Sequence, residues 1–242
     1  MLVSHRYRFI YTKTFKTAST SVEAYFERFC MPEEAWQPSH RRDEFVSDVG
    51  IVGHREDGSV GGRRPAGCVW YNHMPAAEIR RQLGEDVWAS YFKFCVVRNP
   101  YQKCISAFEH LGAKHVAAWS RRVMAATIWG MSAEQVRFYD FLCRRKVIDR
   151  GMYTLDGEIC VDAVIRHETL LADLMKICER LSVPYEPDRL PRYKAGQRRP
   201  AATVEALYTR PAQALVARRY AFEIDTFGYR FPASEAAALR AA

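Results

Sequence analysis

The chain has 242 residues, 48% hydrophobic and 26% charged, values of an ordinary globular protein with enough length for one well-buried α/β domain. Its formal charge of +8 points to anionic partners, whether nucleic acid, a membrane surface, an acidic polysaccharide or a phosphorylated nucleotide. No apolar run reaches the ~18–20 residues of a membrane span. The opening Met1-Leu2-Val3-Ser4-His5-Arg6 passes into a strand-like run, not a signal-peptide core, so a cytoplasmic location is expected.

In chain order, Tyr7–Tyr11 is a short β-prone run ending in a polar loop, Thr12 to Ser21, with two lysines and small side chains. Val22, Tyr25, Phe26 and Phe29 then recur at helical spacing. Strand, small polar loop and helix is the arrangement that turns backbone N–H groups toward an anion. Residues 32–67, with Pro32, Pro38 and the Gly/Arg-rich stretch 58–67, read as a surface insertion. Cys68–Tyr71 reads as a short strand, and Pro75 opens a helix that Gly84 stops, with Ile79 and Leu83 on its inner side.

Tyr91–Val97 is nearly all apolar, as in a central parallel strand, and runs through Arg98-Asn99-Pro100 into a helix carrying Ile105, Ser106, Phe108 and Glu109. Ser132 with Gln135 predicts a capping box before Phe138, Phe141 and Leu142. Ile159–Ile165 reads as a strand, and Leu170, Leu171, Leu174, Ile177, Cys178 and Leu181 as an amphipathic helix. A basic segment, Arg192 to Arg199, precedes a last helix and the aromatic run Tyr220 to Phe231, and the tail 233–242 is expected to fray. Neither repeats nor linkers are evident. The alternation predicts a single α/β domain, 1–242, with a parallel sheet flanked by helices. Seven cysteines, odd in number and without a Cys-x-x-Cys pair, fit reduced thiols better than a disulfide scaffold or a zinc site.

Two segments carry chemistry. In Lys16-Thr17-Ala18-Ser19-Thr20-Ser21 the small side chains allow close approach of a phosphate, hydroxyls and the helix N-terminus supply donors, and Lys16 adds a point charge. It is not a Walker A loop, because the lysine opens the loop and no glycine is present. In the second, Arg98 stands at the carboxyl end of a buried strand and Ser106 about two turns into the next helix. A guanidinium fork and a hydroxyl so placed suit one phosphate.

Together these strings resemble the sulfotransferase superfamily, in particular its carbohydrate-modifying branch. Lys-Thr-Ala-Ser-Thr-Ser after a strand is similar to the 5′-phosphosulfate loop of uronyl 2-O-sulfotransferases, and Val-Arg-Asn-Pro with Ile-Ser-Ala-Phe to the family's 3′-phosphate element. Weaker likeness extends through Arg166-His167-Glu168 and Glu223 to Tyr229. The resemblance implies a P-loop-like site for 3′-phosphoadenosine 5′-phosphosulfate (PAPS) and no metal. Lys16 would stabilise the leaving charge, residues 17–21 hold the 5′-phosphate, and Arg98 and Ser106 bind the 3′-phosphate. It further implies a sugar or polysaccharide hydroxyl as acceptor, His73 as proton acceptor with His54 and Glu109 as alternatives, and Lys194 and Arg198 on a loop over the donor. Phe15 and Ala18 stand where many relatives have Pro and Gly, and Lys13 leaves two lysines that can face the donor. Two other classes stay open at this stage. One is a nucleotide-dependent phosphotransferase on a similar scaffold, against which the missing Walker A glycines count. The other is a non-catalytic basic module for glycans or nucleic acid, against which the buried periodicity of the aromatics counts.

Overall fold

The computed structural model describes residues 1–56, 64–111, 130–191, 193 and 204–232. The backbone divides into two compact units, Met1–Val97 with Asp149–Ala195, and Arg98–Ile148 with Gly196–Ala242.

The first unit contains the strands β1 (Leu2–Ser4), β2 (Phe9–Thr12), β3 (Phe45–Val46), β4 (Gly50–Val52), β5 (Phe92–Val97), β6 (Thr154–Leu155), β7 (Glu158–Ile159) and β8 (Ala163–Arg166). Its helices are α1 (Ser19–Glu27), α2 (Ala76–Leu83), α3 (Glu85–Ser90) and α6 (Leu170–Leu181). Six strands form one sheet in the order β3-β4-β1-β2-β5-β8. β2, β5 and β8 are mutually parallel, while β1 pairs antiparallel with both β2 and β4. Since β4 and β2 each oppose β1, they run in the same sense. β4, β2, β5 and β8 therefore all end at one edge, the edge at which parallel α/β sheets bind ligands.

The fold class is α/β as the alternation implies, but the sheet is mixed rather than parallel. The reason is local: Arg8 adopts a left-handed φ of 52°, which lets Leu2–Ser4 fold back on Phe9–Tyr11 as a hairpin. Residues 32–67 correct the expectation of a surface insertion. Gly50–Val52 is wholly buried and pairs with β1, and a Cβ on Gly50 would lie 2.2 Å from the Val3 carbonyl oxygen, so only glycine fits. Residues 58–63 lie outside the described residues. Cys68–Tyr71 is not a strand. The N–H groups of Val69 and Trp70 donate to the Glu44 carboxylate at 3.1 and 2.7 Å instead, leaving one bridge from Tyr71 to His54.

Ile159–Ile165 divides in the same unit. Glu158–Ile159 pairs with Thr154–Leu155, and β8 begins only after Asp162 has bonded the Lys93 backbone on both sides. The core packs Phe9, Tyr11, Phe94 and Val96 of the sheet against Val22, Tyr25 and Phe26 of α1 and Leu174, Ile177 and Cys178 of α6. Leu171 of α6 is 48% exposed and lies off that face.

The second unit contains α4 (Pro100–Leu111), α5 (Ala133–Arg144), α7 (Val204–Leu207), α8 (Arg210–Arg219) and α9 (Ala221–Phe227). The Ser132–Gln135 capping box is present, and Phe138, Phe141 and Leu142 are the buried positions of α5. Phe108, Phe138 and Tyr208 pack edge to face at its centre. The tail 233–242 lies outside the described residues.

Candidate active site

The loop leaving β2 is tied down by its own polar groups. Thr14 donates its hydroxyl proton to the Val96 carbonyl at 2.5 Å, so the 2.7 Å contact with Thr17 must be a bond donated by Thr17. Ser19 donates to the Thr14 carbonyl at 2.5 Å, and the buried Asp149 accepts the Phe15 N–H at 2.8 Å. The hydroxyl protons of Thr17 and Ser19 are thus committed inside the loop. In this arrangement neither proton points out of the loop. Thr20 is half-buried with no partner for its hydroxyl among the described residues, and Ser21 is buried one position further on.

Backbone groups are the donors that this leaves. Lys16 and Ala18 hold left-handed φ values of 58° and 64°, which bend the chain into a concavity of N–H groups. Ala18 occupies the N-cap of α1, with no side-chain cap and no acidic residue in the first turn. Ser21 and Val22 N–H bond to the Ala18 carbonyl, but the N–H groups before them have no intrahelical acceptor. An anion seated there does what a cap would do and meets the positive end of the helix dipole.

The two lysines differ sharply. Lys13 is fully buried with its ammonium 2.7 Å from Glu23. Burial lowers its pKa to about 8, against the pull of Glu23. Glu23 also receives the Met1 ammonium at 2.6 Å and Arg55 at 2.7 Å, and burial, which would raise its pKa, is outweighed by Lys13, that ammonium and Arg55, which hold it well below the usual carboxylate range. Arg55 in turn bonds Glu27 at 2.7 Å, and Glu27 receives Arg42. Lys13 belongs to this buried charge network, whereas Lys16 is half-buried in the loop itself.

His73 lies against the same loop. Its Nδ1 is 3.2 Å from the Lys13 carbonyl oxygen, and its ring stacks on Phe15 with centroids 4.3 Å apart. A carbonyl only accepts, so Nδ1 carries the proton and Nε2 the lone pair. Burial first, and Lys13 second, push its pKa down to about 3, so the ring is neutral across the physiological range. His73 also has a left-handed φ of 58°, a third strained non-glycine residue beside this loop.

Arg98 directly follows β5, is half-buried, and opens the second unit. Asn99 caps α4 by accepting the Tyr101 N–H at 3.1 Å, with Pro100 in the first turn, and its amide donates to the Arg230 carbonyl. Ser106 is half-buried on α4 and Glu109 exposed on the same helix. The first unit thus brings Lys16, residues 17–21 and His73 to one loop, and the second holds Arg98, Ser106 and Glu109. Lys194 and Arg198 lie outside the described residues. His54, after β4, has Nε2 3.1 Å from Glu56 and Nδ1 3.7 Å from Asp43. No group of three or more His, Cys, Asp or Glu able to hold a metal ion occurs among the described residues.

Sequence reasoning passed over Glu23, Glu27, Arg55 and Asp149. The available signal was the i, i+4 pair of glutamates on an otherwise apolar helix face, which needs buried cations to match it.

An uncapped helix N-terminus and a lysine at the carboxyl edge of such a sheet form, in an α/β protein, an arrangement that suits a phosphate or sulfate group. The Sulfotransferase family model matches residues 1–230, and the chain belongs to that family. It is a transferase whose chemistry, in general terms, is sulfuryl transfer. No curated protein and no solved structure matches it. No helix among the described residues is long and apolar enough to cross a membrane.

Proposed function

We propose that this sulfotransferase takes its sulfuryl group from PAPS and delivers it to a hydroxyl of a sugar or polysaccharide, in the cytoplasm, with residues 1–242 acting as one catalytic domain. The observation that carries the donor assignment is the uncapped N-terminus of α1 beside Lys16, in a loop that Thr14, Ser19 and Asp149 already hold rigid. The family match running through both units supports the single domain.

In this reading the N–H groups of residues 17–21 and the Thr20 hydroxyl bind the 5′-phosphate, and Arg98 and Ser106 bind the 3′-phosphate. Lys194 and Arg198 cover the donor. PAPS supplies an activated sulfuryl group on a phosphate leaving group. Lys16 neutralises the charge that grows on the bridging oxygen as its bond to sulfur breaks. Nε2 of His73 receives the proton of the acceptor hydroxyl as the new S–O bond forms. A pKa of about 3 makes a weak base of the resting histidine. It still suffices late in the transfer, when the sulfur-bound hydroxyl has become strongly acidic.

Thermal shift with adenosine 3′,5′-bisphosphate against ADP tests the donor. At ~100 times its dissociation constant the bisphosphate adds about 2.7 kcal/mol. Equal stabilisation by ADP would overturn the donor assignment.

A further inference from the structure

Phe15 is held from two sides by groups to which the transfer gives no other task. Its backbone N–H donates to Oδ2 of Asp149 at 2.8 Å, although Asp149 stands 134 positions later in the chain. Its ring lies on the imidazole of His73, with centroids 4.3 Å apart and planes inclined by 34°. Phe15, His73 and Asp149 are all buried. Asp149 opens the short turn Arg150–Met152, yet its side chain makes no cap bond to that turn. An aspartate in such a place commonly bonds its own backbone. Here Oδ2 goes to the donor loop instead. The turn itself packs against α2, the helix that begins shortly after His73. Three segments distant in sequence thus close a ring. Asp149 holds Phe15, Phe15 backs His73, and the helix after His73 supports the Asp149 turn.

His73 needs that support. Its φ of 58° is left-handed, a conformation that a non-glycine residue keeps only where its surroundings over-determine it. The contact of Nδ1 with the Lys13 carbonyl fixes one atom of the ring but not the tilt of its plane. The Phe15 face sets the plane and shields one side of it from water. Lys13, Glu23 and the Met1 ammonium are the charges that act on the imidazole, and burial outranks them all in keeping it neutral. What covers the ring therefore decides its protonation. A proline at position 15 would supply neither the N–H nor the aromatic face. Leucine would supply only the first.

We propose that Phe15 and Asp149 are positioning residues for His73: Asp149 anchors Phe15, and the Phe15 ring holds the imidazole in one plane and one tautomer, with Nε2 as the acceptor. The inference rests on the reading of His73 as proton acceptor and adds the residues that orient it. The test is imidazole nitrogen NMR on the protein saturated with adenosine 3′,5′-bisphosphate, from pH ~8 down to pH ~5. The parent keeps the Nδ1-protonated tautomer and does not titrate in that range. Phe15→Ala admits water, which favours the charged ring, so its midpoint rises above pH ~5 and the Nε2-protonated tautomer appears. From about 3, that is more than about a hundredfold in proton affinity. Asp149→Ala moves the same signals in the same direction by releasing Phe15. Phe15→Tyr keeps the aromatic face and Asp149→Asn keeps an oxygen for the Phe15 N–H, so both retain the parental spectrum. Where Phe15→Ala does not fold, Phe15→Leu takes its place, with the tautomer as the signal. A parental spectrum in the folded variant that lacks the aromatic face, or in folded Asp149→Ala, overturns the proposal. So does an equal change in Phe15→Tyr. Absence of bisphosphate binding by the parent overturns the donor reading instead, and spectra of the ligand-free protein then decide the positioning, so the two failures are distinct.

Discussion

Helices α1 and α5 begin in opposite ways. α5 opens with a complete capping box, the Ser132 hydroxyl accepting the Gln135 N–H at 3.2 Å and the Gln135 side chain accepting the Ser132 N–H at 2.9 Å. α1 opens on Ala18, in a left-handed conformation and with no side-chain cap. The bodies differ too. α5 is held by Phe138, Phe141 and Leu142, whereas α1 adds to its apolar face two buried glutamates tied to Lys13, Arg55 and Arg42. A helix whose only task is packing satisfies its own N-terminus. α1 leaves that end open and is fixed from behind by charge pairs, as the proposed anion site requires.

The largest effect expected from this contrast is on stability. Lys13→Met removes one partner of a fully buried ion pair, and about 3–5 kcal/mol should be lost in urea unfolding. A loss below ~1 kcal/mol would mean that α1 is not anchored by charge. Next comes Lys16→Ala, which should lower turnover about 10²–10³-fold, roughly 2.7–4 kcal/mol of transition-state stabilisation, with a melting temperature close to the parent's. Full activity in this variant, with Lys13→Met inactive though folded, would exchange the roles of the two lysines.

The pH dependence of His73 lies between these and the last. Its folded pKa of about 3 is below the ~6.5 of an unfolded histidine, so the unfolded chain takes up a proton that the folded one excludes. Its contribution to stability is whole above pH ~6.5 and is lost as pH falls toward about 3. Denaturant midpoints measured across that window should fall more steeply for the parent than for His73→Gln. In the proposed mechanism turnover needs neutral imidazole, so it should show no histidine limb near neutrality. An inflection near pH ~6.5 that vanishes in His73→Gln would show that the ring is open to water when donor is bound. The smallest effect belongs to α5, where Ser132→Ala should cost about 1 kcal/mol in thermal unfolding and leave bisphosphate affinity unchanged.

The sequence by itself determined what neighbouring residues encode. The loop 16–21 and its helix, the Pro75 and Gly84 limits of α2, the run of β5 and the capping box at Ser132 all depend on residues within a few positions of one another. So does the strand–loop–helix–strand order that carries the α/β class. Tertiary structure alone decided the rest. That Gly50–Val52 is a buried strand depends on pairing with Leu2–Ser4 far back in the chain. That the Thr17 hydroxyl is spent on Thr14 depends on the distant Val96 carbonyl, which takes the Thr14 proton. The identity of the lysine in the loop was open in sequence because both flank small polar residues. Their burial is decided by Glu23, later in the chain, which draws Lys13 into the core and leaves Lys16 half-buried in the loop. Local pattern fixes which element forms where the element is stabilised by its own residues, as at the Ser132 capping box. Which polar group remains for a ligand depends on partners brought from distant sequence, because a buried charge or hydroxyl is stable only where its counterpart arrives.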